Sequence, residues 1–297
     1  MTKININRNH KDTLFRKLFC EEQKENVLSL YNALNNSSYT NVDDLTINIL
    51  DDVIYMKMKN DLSFLIHKDL FLIEHQSTVN PNMPLRAFFY FSRLYEGFIE
   101  MNDLNIYLNT LVKIPTPNCV VLYNGSEEIE AVLVLRLSSM FENEDKTKGF
   151  EWSVTVYNIN PGKNEEFLNK CPVLKGYMTF VNTIRNYQKA GNAIREAVDK
   201  SMDYCIRNNV LEEFFKKHRS EVSDMVLTEF DEEKFYKALA KESEEKGIII
   251  GKKEEKVATT IRNVQSAMRN GNMSLEEAMK LLDIPKELQE ECRKMIK

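Results

Sequence analysis

The segment KNDLSFLIHKDLFLIEHQST, residues 59–78, gathers two carboxylates and an amide among apolar residues. Its runs DLSFLIH and LFLIEHQ are short, rich in Leu, Ile and Phe, and bounded by polar residues, the pattern of two β-strands. A two-residue turn at Lys68-Asp69 would set His67 opposite Leu70, Leu65 opposite Leu72, Ser63 opposite Glu74 and Asp61 opposite Gln76. Opposed residues of an antiparallel pair share a face, so Asp61, Ser63, Glu74 and Gln76 fall on one side. Leu62, Phe64, Ile66, Ile73 and His75 take the other side, which reads as core. A one-residue slip would destroy that segregation. Two neighbouring carboxylates make a hard-oxygen site suited to Mg²⁺ or Mn²⁺. A cation held there lowers the pKa of a bound water and neutralises charge on a phosphate in the transition state. The Gln76 amide, two residues beyond Glu74 on the same face, is placed to orient the attacking water. The residues alone leave a plainer alternative open, a polar and solvated hairpin face.

Few other groups compete for a chemical role. There is no Gly-rich phosphate loop, and no Ser or Cys sits in a nucleophile elbow. The five cysteines (Cys20, Cys119, Cys171, Cys205, Cys292) are odd in number, scattered and never in a C-x-x-C pair. Reduced, mostly buried thiols are therefore expected rather than a disulfide framework or a zinc site. His75 points away from Glu74 and reads as a packed histidine, and His10, His67 and His218 show no partners that would form a site. Arg86 opens the helix after the hairpin, where it suits either a phosphate contact or a structural ion pair. Tyr90, one turn on, reads as core.

The elements that must position these residues are mixed. Residues 10–35 read as helical, with Leu14, Phe15, Leu18 and Phe19 on one face, and NNSSYTNVDD ends that region. From about 45 to 77 the character is β. A proline-bearing loop, STVNPNMPLR, leads into a helix expected over about 84–112. IPTPNCVVLYNGSEE reads as a strand closed by an Asn124-Gly125 turn, and EWSVTVYNINPGKN as a further strand at 151–159. Helices follow from about 164 to 243, then the charge-dense KESEEKGIIIGKKEEK, read as a solvated helix or hinge, and two short helices split by Pro285. Ser274 with Glu277 fits a capping box. This is an α/β (α+β) pattern with antiparallel hairpins, not strict βαβ alternation. The expected organisation is a core at 1–160, a helical extension at 161–243, and a charged hinge with C-terminal helices at 244–297.

A chain of 297 residues can hold one large domain with an appendage or two modest ones. Its 43% apolar and 29% charged content is that of an ordinary globular protein. The net charge of -5 sets a condition on partners. Phosphate neutralisation supplies most non-specific DNA affinity, so any DNA contact must use a local basic face or metal ions. The longest apolar runs (FLI, VVL, III) are too short to cross a bilayer, and MTKININRNHKD has no apolar secretory segment. The expected location is the cytoplasm, with no membrane partner.

Asp61 followed by Glu74-x-Gln76 on an apolar strand resembles the PD-(D/E)XK nuclease superfamily. More narrowly the chain resembles the Rpn-type recombination-promoting nucleases, also described as a PD-(D/E)XK nuclease family transposase. The stretches that carry the resemblance are KDTLFRKLF, NDLSFLI, LIEHQST, NPNMPLR with Tyr90, IPTPNCVVLYNG and VTVYNIN, with EAVDKSMDYCIRNNVLEEFF and KESEEKGIIIGKKEEK further on. It covers nearly the whole chain, and the LIEHQST and NMPLR combination is its most specific part. The resemblance implies a restriction-endonuclease-like core, a mixed sheet flanked by helices, with a helical C-terminal region. It implies a Mg²⁺-dependent (or Mn²⁺-dependent) DNA endonuclease, with Asp61 and Glu74 as metal ligands and the backbone carbonyl of His75 as a third. Gln76 would stand where the superfamily usually has lysine, supplying hydrogen bonds but no positive charge. Asn60 stands where proline precedes the Asp. Asp12 would be an acidic residue of the first helix near the metal, although its position suits a helix N-cap equally well. The alternative of a different class is a catalytically quiet interaction module that keeps the fold and uses its helical half for assembly. The C-terminal helices suit dimerisation at least as well as DNA reading, and paired cuts would call for a homodimer.

Overall fold

The computed structural model describes residues 14–47, 61–143 and 149–296. Six strands, β1 (Leu45–Ile47), β2 (Leu62–Ile66), β3 (Asp69–Gln76), β4 (Thr116–Tyr123), β5 (Val132–Arg136) and β6 (Ser153–Asn158), form one sheet in the order β1-β2-β3-β4-β6-β5. Strands β1, β2 and β3 pair antiparallel, β3, β4 and β6 run parallel, and β5 returns antiparallel to β6 at the far edge. The chain is therefore α/β with a mixed sheet flanked by helices. Parallel neighbours require a crossover, and between β3 and β4 it is helix α3 (Met83–Met101). Both faces of β3 and β4 are covered, which is why LFLI and CVVLY are continuous apolar runs rather than alternating ones.

The pleat sorts the core into two layers. On one face Leu70, Leu72, Cys119, Val121 and Tyr123 pack against Met83, Ala87, Tyr90, Phe91 and Leu94 of α3. On the other, Leu62, Phe64, Ile66, Phe71, Ile73, Val120 and Leu122 join a larger cluster. It is closed by α1 (Leu14–Leu18), α2 (Lys24–Asn35), α4 (Glu165–Lys170), α5 (Pro172–Lys189), α6 (Ile194–Arg207) and Phe215 and Val222 of α7 (Glu212–Gly271). A 3-10 turn at Glu21–Gln23 divides the region that reads as one helix in the sequence. Helix α3 is also shorter than the expected 84–112. Asp103 adopts a left-handed φ of 51°, and the Leu104 amide donates to the Ile99 carbonyl at 3.0 Å. That is a helix-closing pattern, after which 102–115 runs without helix. The strand β5 has no counterpart among the sequence expectations.

The chain divides into two compact units, Met1–Thr228 and Glu229–Lys297. The helices from Glu165 to Arg207 thus share the core of the first unit. In the second unit Val264 of α7, Ala278 and Met279 of α8 (Leu275–Leu281), and Cys292 of α9 (Lys286–Met295) form a small core with Ile296. Ser274 begins α8 with the expected capping box: the Glu277 amide donates to its Oγ at 3.4 Å, and the Ser274 amide donates to Glu277 Oε2 at 2.8 Å. Ser274→Ala is expected to lower the stability of this unit by about 1 kcal/mol, read as an earlier urea transition. All five cysteines are free, Cys20 partly exposed and the other four buried. No helix among the described residues is long and apolar enough to cross a membrane.

Candidate active site

The hairpin turns one residue earlier than the spacing predicts. Ile66 pairs with Asp69 and Leu62 with Ile73, so the turn residues are His67 and Lys68, with His67 at a left-handed φ of 53°. Each β2 residue therefore faces a β3 residue two positions before the expected one. A shift of two keeps every side chain on its face. Asp61 comes level with Glu74 instead of Gln76, and Ser63 sits opposite Leu72. The His75 amide donates to Asp61 Oδ2 at 2.8 Å, which clips the Asp61 carboxylate onto β3 beside Glu74.

Glu74 is only 4% exposed, on the face covered by α3. Arg86, one turn into that helix, donates from Nη2 to Glu74 Oε2 at 3.3 Å and to the Tyr90 hydroxyl at 3.2 Å. Its guanidinium lies 5.9 Å from the Tyr90 ring centre. The ion-pair alternative is thus the one the geometry displays for Arg86. Glu74 Oε1 is buried with no hydrogen-bond partner among the described residues. Burial, reinforced by the Asp61 charge, pushes the Glu74 carboxyl up to about 8, against the opposing pull of Arg86 and the nearby Gln76 amide. Gln76 also rests its Nε2 on Met83 Sδ, a weak acceptor, at 3.3 Å.

No family model, curated protein or solved structure matches this chain.

His75 lies on the opposite face, as the alternation requires. Its ring stacks on Phe15 at 5.2 Å and meets Tyr177 edge-on at 5.3 Å, with Nε2 3.2 Å from the Tyr177 hydroxyl. Burial, aided by the Arg185 charge, lowers its pKa to about 4, so it packs as a neutral imidazole. Its carbonyl, the third ligand implied by the resemblance, belongs to the strand residue whose amide already holds Asp61. Asp12 lies outside the described residues.

The donor set fits a hard divalent cation. Among the described residues no group of three His, Cys, Asp or Glu is gathered, so Asp61 and Glu74 stand as a pair. The pair offers carboxylate oxygens, one of them buried and without a partner. Burial and, second to it, the Asp61 charge raise Glu74, and a bound cation would offset both. One polar group nearby escaped the sequence reading: Asn124, Asn158, Asn160 and Arg185, which come from three separate elements. Only the Asn124-Gly125 turn carried a signal, and it read as a turn alone.

Proposed function

We propose that the protein is a metal-dependent DNA endonuclease of the recombination-promoting type, built on a PD-(D/E)XK core and hydrolysing phosphodiester bonds. The observation that carries this reading is a buried carboxylate, Glu74, with one oxygen lacking a partner, set beside a second carboxylate that a backbone amide holds in place. A stability role explains this poorly, because desolvating an acid beside another acid costs free energy. Asp61 and Glu74 would hold Mg²⁺ or Mn²⁺, which when bound supplies charge neutralisation at the phosphate and a water of lowered pKa.

The chain's own residues then have distinct tasks. Glu74 must lose its proton to act as a ligand, so the site becomes competent as pH rises toward about 8. Gln76, whose amide lies against both Glu74 and the Met83 thioether, turns that amide to orient the water. Gln76→Ala is expected to slow cleavage about tenfold while leaving Mn²⁺ affinity unchanged, as measured by single-turnover nicking and isothermal titration. Arg86, relieved of Glu74, has a guanidinium available to the substrate phosphate.

The Arg86–Glu74 pair also favours the second reading, a quiet interaction module, because it partly neutralises Glu74 without any metal. Thermal melting separates the two. A nuclease site raises the melting temperature with Mg²⁺ or Mn²⁺, and Asp61→Ala removes the rise. Absence of any rise in wild-type protein favours the quiet module.

A further inference from the structure

Strands β3, β4 and β6 run parallel, so their C-terminal ends lie along one edge of the sheet. At that edge the Asn124 amide donates to the Gln76 carbonyl at 3.1 Å, joining the end of the catalytic strand to the Asn124-Gly125 turn. Arg185, near the end of α5, reaches the same place. Its Nη2 donates to the Asn124 carbonyl and its Nη1 to Asn160 Oδ1 at 3.1 Å. Asn160 in turn donates from Nδ2 to the Gly125 carbonyl at 3.0 Å and to Asn158 Oδ1 at 3.0 Å. Every acceptor that Arg185 meets is a neutral amide oxygen, and among the described residues no carboxylate pairs with it. A guanidinium has five N–H donors in a fixed fork, so this half-buried charge has donors beyond the two engaged ones.

The surrounding cluster has spare capacity too. Asn124 is 5% exposed, and its Oδ1 has no hydrogen-bond partner among the described residues. Rotation of that amide by half a turn brings its NH₂ to the same position, converting an unpaired acceptor into a donor. The turn is also closely packed. A Cβ on Gly125 would stand 2.0 Å from the Ser77 carbonyl oxygen, so the loop is pressed against the residue that follows Gln76. A fixed, partly buried cation without a counter-ion is a site for an anion, because partial desolvation strengthens its field and the geometry is already held.

We infer that Arg185 and the Asn124-Gly125 turn form a phosphate-binding subsite at the C-terminal edge of the sheet, on the far side of Gln76 from Asp61 and Glu74. The phosphate it takes is a backbone phosphate neighbouring the scissile one. That bearer rests on the nuclease reading, whereas the anion site itself does not. In a net acidic chain this supplies the local positive charge that composition leaves unspecified.

The first measurement is titration of ¹⁵N-labelled wild-type protein with inorganic phosphate. Saturable shifts of the Gly125 amide and Arg185 Nε–H signals are expected, and their absence overturns the subsite. The second is anisotropy of a labelled oligonucleotide in EDTA across a salt series. Arg185→Gln should weaken binding about tenfold and reduce the slope of log affinity against log salt by about one, with Arg185→Lys restoring the slope. Unchanged affinity and slope in folded Arg185→Gln overturn the assignment to nucleic acid. If that variant does not fold, a slope in Arg185→Lys differing from wild type by one or more does the same, since the charge is kept. Phosphate shifts without binding of any nucleic acid keep the anion site and remove the nuclease reading, so the two failures are told apart.

Discussion

Asp61→Ala and Glu74→Ala are each expected to abolish Mg²⁺-dependent nicking of supercoiled plasmid, leaving rates at least about 10³-fold below wild type. That factor corresponds to roughly 4 kcal/mol of lost transition-state stabilisation, the scale of removing a metal ligand rather than a positioning contact. The two variants should fail for different structural reasons. Without Asp61 the His75 amide loses its acceptor, so the strand edge as well as the ligand set is disturbed. Without Glu74, Arg86 loses its anionic partner and Asp61 is the one carboxylate left of the pair. Both proteins should remain folded, because the apolar layers on either side of β3 are untouched. Full activity in either variant, in the presence of Mg²⁺ or Mn²⁺, would remove the hairpin from consideration as an active site.

A second large effect concerns stability without metal. The Glu74 carboxyl ionises near 4.5 when the chain is unfolded and near 8 when folded. Between those values the folded state binds the extra proton, so stability falls as pH rises, by about 1.4 kcal/mol per pH unit. Glu74→Gln has the same shape and no titration. It should match wild type at pH values near 5 and exceed it by about 3 kcal/mol near neutral to mildly alkaline pH, as read from urea midpoints in EDTA. Saturating Mn²⁺ should reverse the order, because only the wild type gains from binding. Equal midpoints across the range would mean that Glu74 is not the strained group described here. A residue that weakens the empty protein and whose removal strengthens it is the signature of a site kept for function.

The face on which Asp61, Glu74 and Gln76 gather was legible from alternation along each strand and a turn of two residues, because a register error of two leaves every side chain on its face. The partner across the hairpin was not. It depends on where the chain reverses, and His67 accepts a left-handed backbone that composition does not reveal in a non-glycine residue. The outer limit of α3 was hidden for the same kind of reason. The stop is a left-handed Asp103, while the following LNIYLNTL continues to look apolar and helical. Burial of Glu74 could not be read either, since it requires knowing that Arg86 and Tyr90 of the crossover helix close over that face. The Arg185 cluster was invisible because residues near 124, 160 and 185 meet only once three parallel strands end together.

The thiols offer a consequence of another kind. Cys119 lies beneath α3, Cys171 and Cys205 lie in the opposite layer, and Cys292 lies in the core of the C-terminal unit. A thiol-modifying reagent reaches each of them only when its own neighbourhood opens. The protein thus carries native clocks, each ticking at the opening frequency of one region. Timed alkylation followed by peptide mapping reads them separately, with no probe introduced into the chain.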